Sequence, residues 1–504
     1  MDSLLVAGIL IGYFLILILI SYLTSRNATS DTFFTGDKAS KWYLVAFGMI
    51  GTSLSGVTFI SVPGKVVVES MAYFQIVLGY ILGYVFIAQV LMPLYYRLNF
   101  VSIYEYLNQR FGNISYKTGA LFFILSRTLG SAMRLYLATY VLQTFLFDDI
   151  GVPYWITSII TVLLIWVYTF RGGIKTIVYT DAFQTIFLVG AVVLTVFIIS
   201  GTMNVNFFGL LDKIGNSQSL AGDSMMKIFF FDDYKSPVYF PKQFFGGMFL
   251  AIAMTGLDQD LMQKNLSCRN IKDAQKNMYS FTTILVLVNF FFLVLGGALY
   301  VFASEMNIGL PMNDGKIITD NVYPTMAFGG HFGTIAGVLF LLGITASSYA
   351  SSDSALTALT TGFCIDFLNF KRREEQERKK IKTIVHIGFS FVFLLIILGT
   401  KWIIDNHPET DLISVILKAA SYTYGPLLGL FFFGIFTKRK PKEYFVPVVC
   451  ILAPSICFWL SGVSVKLLNG YVFGYEILIL NGLLTFLGLA LISKPEVSAV
   501  ALKK

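Results

Sequence analysis

The segment ITASSYASSDSALT, residues 344–357, brings Ser347, Ser348, Ser351, Ser352, Asp353, Ser354 and Thr357 together. If it is helical they fall within about three turns. A lone serine or threonine in an apolar helix bonds back to the preceding turn and needs no functional account. A carboxylate among hydroxyls is different, because burying Asp353 unpaired costs at least a few kcal/mol, on the order expected for a charged group at mid-membrane. Hydroxyl, carbonyl and single-carboxylate oxygens suit a hard monovalent cation such as sodium, whereas zinc or copper would call for histidine or cysteine. A weak, partly neutral site also lets the ion leave again.

Two further stretches supply oxygen in the same manner. GTSLSG, residues 51–56, sets two glycines and three hydroxyls in the middle of an apolar run, with Pro63 beyond it. A helix interrupted there frees carbonyls that need a partner, and a dehydrated cation is one. FFGGMFLAIAMTGLDQDLMQ, residues 244–263, carries Gly246, Gly247 and Gly256 and a polar end, and is expected to break in a similar way. A third stretch, RGGIKTIVYTDAFQ, places Asp181 at the mouth of a long apolar run. From its surroundings Asp181 reads as a cap for the helix start or as an ion partner of Arg171 or Lys175.

These groups need elements to hold them. The chain has 504 residues, 56% hydrophobic and only 13% charged, against roughly 25% charged in a soluble domain. A polytopic membrane protein follows. Apolar runs of about 20 residues can cross as helices, since hydrocarbon offers the backbone no hydrogen bonds. Thirteen are expected, near 4–25, 41–68, 71–95, 118–147, 153–170, 179–201, 239–263, 277–304, 331–365, 383–403, 411–436, 443–463 and 470–493. The first lacks a basic start and a cleavage site, so it is read as retained. Lysine and arginine gather in alternate loops, including KRREEQERKKIK and KRKPK, which places the N-terminus outside and the C-terminus in the cytoplasm. The expected location is the plasma membrane, the inner membrane if the cell is Gram-negative. The segment 202–238 is expected to be a partly ordered extracellular lid or loop.

The net charge of +8 falls in short loops without basic aromatic patches, so no nucleic-acid partner is expected. Cys268, Cys364, Cys450 and Cys457 lack metal-ligand spacing, and His331, His386 and His407 stand apart. A zinc enzyme is not indicated. A membrane enzyme would need convergent acid, base or nucleophilic groups, and a sensor would need an attached signalling domain.

The pair of interrupted runs, spans 2 and 7, is five spans apart, as two inverted five-helix repeats would require. The chain resembles the solute:sodium symporter family from about residue 30 to 440. FFTGDKASKW…GTSLSGVTF is similar to that family's first broken helix and PLYYRLNFVSIYEYLNQRFG to its loop before the third core helix. YTFRGGIKTIVYTDAFQ is similar to its most characteristic block, GLDQDLMQKNLSCRNIKDAQK to the cytoplasmic end of its sixth core helix, and YTYGPLLGLFFFGIFTKR to its tenth. The resemblance implies an all-α integral membrane protein of the LeuT type. Its repeats would span 41–201 and 239–436, with extra helices at 4–25 and 443–493, all in one transporter domain, residues 1–504.

The resemblance also implies a role. Sodium moving inward would drive uptake of a small polar or anionic organic solute by alternating access, with no enzymatic activity. A sodium ion would lie against carbonyls of Gly51 and Leu54 and against Ser347, Ala350 and Ser351. Where the family has two adjacent hydroxyls, the register set by Asp366 puts Ala350 first. Either one hydroxyl is lost or the register moves by one and brings in Ser352. In sialic acid symporters a second sodium uses an aspartate in the fifth core helix, which matches Asp181, faced here by Asp353, Ser352 and Ser354. Ser55 and Thr58 match hydroxyls that touch substrate in that branch. The arginine that holds a carboxylate there aligns with Gly130, with Arg127 and Arg134 one turn to either side. Met254 and Thr255 stand where sugar carriers have paired aromatics, which disfavours a hexose.

Overall fold

The structure, a computed structural model, describes residues 3–26, 30–99, 101–169, 173–368, 370, 373–407 and 412–495, and helices dominate them. In chain order the long elements are α1 (Ser3–Ser25), the pair α2 (Trp42–Ser53) and α3 (Gly56–Gly64), α4 (Tyr73–Leu98), α5 (Asn113–Leu142), α6 (Tyr154–Thr169) and α7 (Gly173–Thr202). There follow α8 (Phe240–Ala251), α9 (Gln259–Leu266), α10 (Ile271–Glu305), α11 (Gly333–Phe367), α12 (Glu375–Asn406), the pair α13 (Leu412–Thr423) and α14 (Gly425–Phe436), α15 (Val446–Leu467) and α16 (Ile477–Leu491). Among the described residues eight helices are long and apolar enough to cross a membrane, ten if each bent pair is one span. The other expected spans fall on the shorter apolar helices α6 and α16 and on the interrupted α8 and α9.

Polarity decides which helices sit inside. Every residue from Gly343 to Gly362 in α11 is buried, so its hydroxyls and Asp353 face other helices, chiefly α5 and α7. The outer helices α1, α12 and α15 instead expose leucine, isoleucine and phenylalanine, among them Leu15, Phe391 and Phe458. Faces of that kind suit lipid. Cys268, Cys364, Cys450 and Cys457 are free and buried, where a thiol packs as a small hydrophobe.

The expected break in span 2 is present. Leu54 (φ −91°, ψ 85°) and Ser55 (φ −74°, ψ 171°) leave the helical region, and the axes of α2 and α3 bend by 59°. Leu54 N–H still bonds Ile50 C=O at 2.8 Å, so the carbonyls of Gly51, Thr52 and Ser53 lie beyond the last closed turn.

Span 7 breaks after Gly256 and not at the Gly246–Gly247 pair. Gly246 and Gly247 lie inside an unbroken α8, which runs through a π turn, Ile252–Gly256, before the chain leaves the helix at Leu257 and Asp258. The Asp258 carboxylate then caps α9, accepting from Asp260 N–H at 2.9 Å and Leu261 N–H at 3.3 Å. What Gly247 provides is close approach: a Cβ there would lie 2.9 Å from Ile76 Cα, and one on Gly79 would lie 2.8 Å from Met248 N. Small residues of this kind let two membrane helices pack backbone to backbone. Gly247→Val is therefore expected to lower stability by about 1–3 kcal/mol through overpacking, read as a fall in the thermal midpoint of the detergent-purified protein. An unchanged midpoint would refute the close packing of α4 and α8.

A third break was not expected. The run 411–436, whose first residue lies outside the described residues, divides at Tyr424 into α13 and α14 with a 41° bend. Pro426 opens α14, and its ring and missing N–H stop α13 from continuing through it.

The connection 203–239 is tied down by backbone bonds from Leu220 N–H to Val67 C=O (2.7 Å) and from Met71 N–H to Lys227 C=O (3.1 Å). Its helix Phe207–Asn216, capped by the Asn206 side chain, buries Leu210 and Ile214.

Candidate functional site

The break between α2 and α3 opens onto a cavity of about 90 Å³. Thr52, Ser53, Leu54, Ser55 and Thr58 line one wall, Tyr73, Tyr80 and Tyr84 of α4 another, and Arg127, Arg134, Thr255 and Asn289 reach it from α5, the π turn and α10. Ser53 Oγ and Asn289 Oδ1 are buried there without a hydrogen-bond partner. The N-terminus of α3 lies at this cavity through Ser55, Val57 and Thr58, and a helix N-terminus carries partial positive charge. Polar room, a cation and a helix N-terminus together favour a small anion or a polar solute.

The two arginines have different work. Arg127 pairs with Asp260 and lies 3.9 Å from Asp258. Asp260 also accepts from Ser354, and Asp258 from Tyr424 Oη at 2.5 Å. Arg127 is thus committed to a network joining α5, α9, α11 and the α13–α14 hinge. Arg134, two turns further along α5, lines the cavity and forms no ion pair among the described residues. The carbonyls freed by the second break are satisfied by tyrosines: Tyr95 Oη donates to Gly256 C=O at 3.0 Å and Tyr104 Oη to Leu257 C=O at 2.8 Å.

Behind the cavity, α2 meets α11. A Cβ on Gly51 would lie 3.5 Å from Ala350 Cβ and 2.6 Å from Thr185 Oγ1, and one on Gly56 would overlap Ser348 Oγ. Ser347 and Ser351 donate to Ile344 C=O and Ser348 C=O, each at 3.0 Å, which leaves their oxygen lone pairs free to accept. Ser348 Oγ and Ser352 Oγ are buried without partners. Gly51, Leu54, Ser347, Ala350, Ser351 and Ser352 are all buried, and of these Gly51 approaches Ala350 directly across the α2–α11 contact.

Asp181, Asp353 and Ser354 enter three separate contacts. Asp181 Oδ2 takes the Lys264 ammonium and, at 2.9 Å, the Thr52 hydroxyl. Asp353 Oδ2 accepts from Tyr168 Oη at 2.8 Å, and Ser354 bonds Asp260. Asp181 lies well inside α7 and caps nothing. Lys175, offered as its partner, instead reaches Asp37 at 3.4 Å, and Arg171 lies outside the described residues.

Lys264 is what sequence reasoning missed. Flanking the end of an apolar run, it reads as one more loop charge, yet its side chain is only 1% exposed. The available signal was its place six residues after Asp258: a break there turns the following helix inward and carries Lys264 with it.

The family model for the sodium:solute symporter family matches residues 33–443. The chain belongs to that family. Among curated relatives, the symporter is 24% identical over 442 residues to the sodium/sialic acid symporter SiaT of Proteus mirabilis, covering 86% of this chain and 84% of that one. It is 27% identical over 423 residues to the sodium/sialic acid symporter NanT of Aliivibrio fischeri, covering 83% and 80%. It is 25% identical over 415 residues to the human sodium/iodide cotransporter, covering 81% and 61%. A solved structure described as a substrate-bound, outward-open sodium-coupled sialic acid symporter superposes with a TM-score of 0.79 at 20% identity, covering 97% of this chain and 99% of that chain. That likeness establishes the fold, a LeuT-type bundle. The symporter is a multi-pass membrane carrier that uses sodium entry to drive uptake of a small solute, with sodium as the co-transported ion.

Proposed function

We propose that the solute is a small organic anion whose carboxylate is held by Arg134, with Ser55, Thr58 and the α3 N-terminus completing its polar contacts. The observation that carries this reading is the division between the arginines: Arg127 is neutralised by Asp260 while Arg134 faces the cavity without an ion partner among the described residues. The cavity of about 90 Å³ suits a short carboxylate directly, since one water needs roughly 10–15 Å³ by this measure. The two relatives named for sialic acid support a second reading, in which a larger acidic sugar enters as the broken helices open.

On this reading the sodium ion bridges the α2 carbonyls of Gly51 and Leu54 and the α11 oxygens of Ser347, Ala350, Ser351 and Ser352. Binding there favours the form in which α2 and α11 are close, and that form presents Ser55 and Thr58 to the solute. Coupling requires such differential affinity, because equal affinity for both forms shifts nothing. The N-terminus is assigned to the outside, the 203–239 connection to the same face and the C-terminus to the cytoplasm. The matched relatives are transporters by name, in keeping with a carrier and not an enzyme.

Sodium-driven uptake into proteoliposomes, challenged with short monocarboxylates, sialic acids, hexoses, inositol and amino acids, tests the reading. Competition by carboxylates, with hexoses and inositol inert, is expected. Competition by neutral polyols alone would reject it. Ser351→Ala is expected to raise the half-saturating sodium concentration roughly tenfold, about 1.4 kcal/mol, near the low end for a contact to a charged group. A wild-type sodium response in that variant would remove Ser351 from the ion site.

A further inference from the structure

Sodium is cargo here, and its second site can be tested against the side chains present. Asp181 is the carboxylate that site would use, and its Oδ2 already holds the Lys264 ammonium. Lys264 Nζ also donates to Thr52 Oγ1, which itself donates to Asp181 Oδ2 at 2.9 Å. Lys264 and Asp181 are 1% and 0% exposed. Of the other candidates, Ser354 bonds Asp260 and Asp353 Oδ2 accepts from Tyr168, while Asp353 Oδ1 and Ser352 Oγ are buried without a hydrogen-bond partner and no bond ties either of them to Asp181. A sodium ion on Asp181 would sit against a like charge in a medium of low dielectric, where the repulsion is little screened. With Lys264 in place, this donor set does not fit a second sodium.

We propose that the Lys264 ammonium is a built-in cation that stands in for a second sodium, so that the symporter binds one sodium ion per transport cycle. The ammonium reaches in from α9, just past the Asp258 break, and joins Asp181 of α7 to Thr52 in the last turn of α2. A dissociable ion in that position would link α2 to α7 only when bound. Lys264 makes the link part of the chain, leaving the α2–α11 contact as the one that depends on free sodium. The inference rests on the sodium-coupled reading above and specifies its stoichiometry.

Equilibrium binding of radioactive sodium to the full-length, detergent-purified protein tests it. The wild type is expected to bind one sodium per chain with a Hill coefficient near one. Lys264→Met leaves Asp181 buried without an ion partner, where a carboxylate must take up a proton or pair with a cation, so the variant is assayed at alkaline pH and high sodium, conditions that favour the cation. That variant is expected to bind twice as much sodium, and its thermal midpoint is expected to become sodium-dependent. The double variant Lys264→Met, Asp181→Asn removes both charges and is expected to return to one. Two sodium ions per wild-type chain, or one in Lys264→Met at wild-type affinity, overturns the proposal. Should Lys264→Met fail to fold, the wild-type count decides alone. No sodium bound by the wild type would reject the ion site itself, a different result from finding two.

Discussion

Arg134→Gln is expected to raise the half-saturating solute concentration on the order of 100-fold, roughly 3 kcal/mol, while leaving the protein folded. A buried guanidinium that takes a carboxylate contributes charge and a two-pronged hydrogen-bond geometry together, and glutamine supplies neither. Folding is spared because Arg134 has no ion partner among the described residues for the substitution to strand. Arg134→Lys restores the charge without the planar fork, so its affinity is expected between the two. Concentration dependence of uptake in proteoliposomes, with a competing short carboxylate as probe, reads the series. If Arg134→Gln keeps the wild-type concentration dependence, Arg134 is a packing residue and the anion assignment fails.

Arg127→Met should do the reverse and damage the fold before the transport. Its guanidinium is 4% exposed and answers to Asp260 and Asp258, both fully buried. Removing one partner of a buried pair costs about 3–5 kcal/mol, because the remaining charge stays buried without compensation. The expected readout is a large loss of monodisperse protein and a lowered thermal midpoint. Adding Asp260→Asn removes the stranded charge most directly exposed by the change, and part of the stability should return. Asp258 keeps Tyr424 and the α9 backbone N–H groups. Non-additivity of this kind is what a double-mutant cycle measures for residues in one network. Equal stability of Arg127→Met and wild type would show that the network carries no net weight.

These two arginines sit on one face of one helix, and nothing local separates them. Both lie in an apolar run, and the sequence leaves either as the anion partner. Asp258 and Asp260 are more than a hundred residues away and meet Arg127 at the break where the chain leaves the helix at Leu257 and Asp258. The same holds for Asp181. Its apolar surroundings signal a carboxylate with a task, but the candidate partners nearby in sequence are Arg171 and Lys175, whereas Lys264 arrives from α9, more than eighty residues away.

What the amino-acid sequence determines by itself follows from lipid as solvent. Backbone groups must be satisfied within each segment, so long apolar runs have to be helices. For the same reason GTSLSG marks α2–α3 as interrupted, and the hydroxyl-rich run 344–357 marks α11 as facing inward. Where that local chemistry is thinner the reading is partial: Gly256 does mark the break in span 7, but Gly246 and Gly247 serve close packing, and the bend at Tyr424 has no comparable signal. Only the tertiary structure decides how the interior charges pair, because pairing depends on which helix ends meet. In a low-dielectric interior that pairing determines which arginine is left to meet a solute and whether Asp181 has room for an ion.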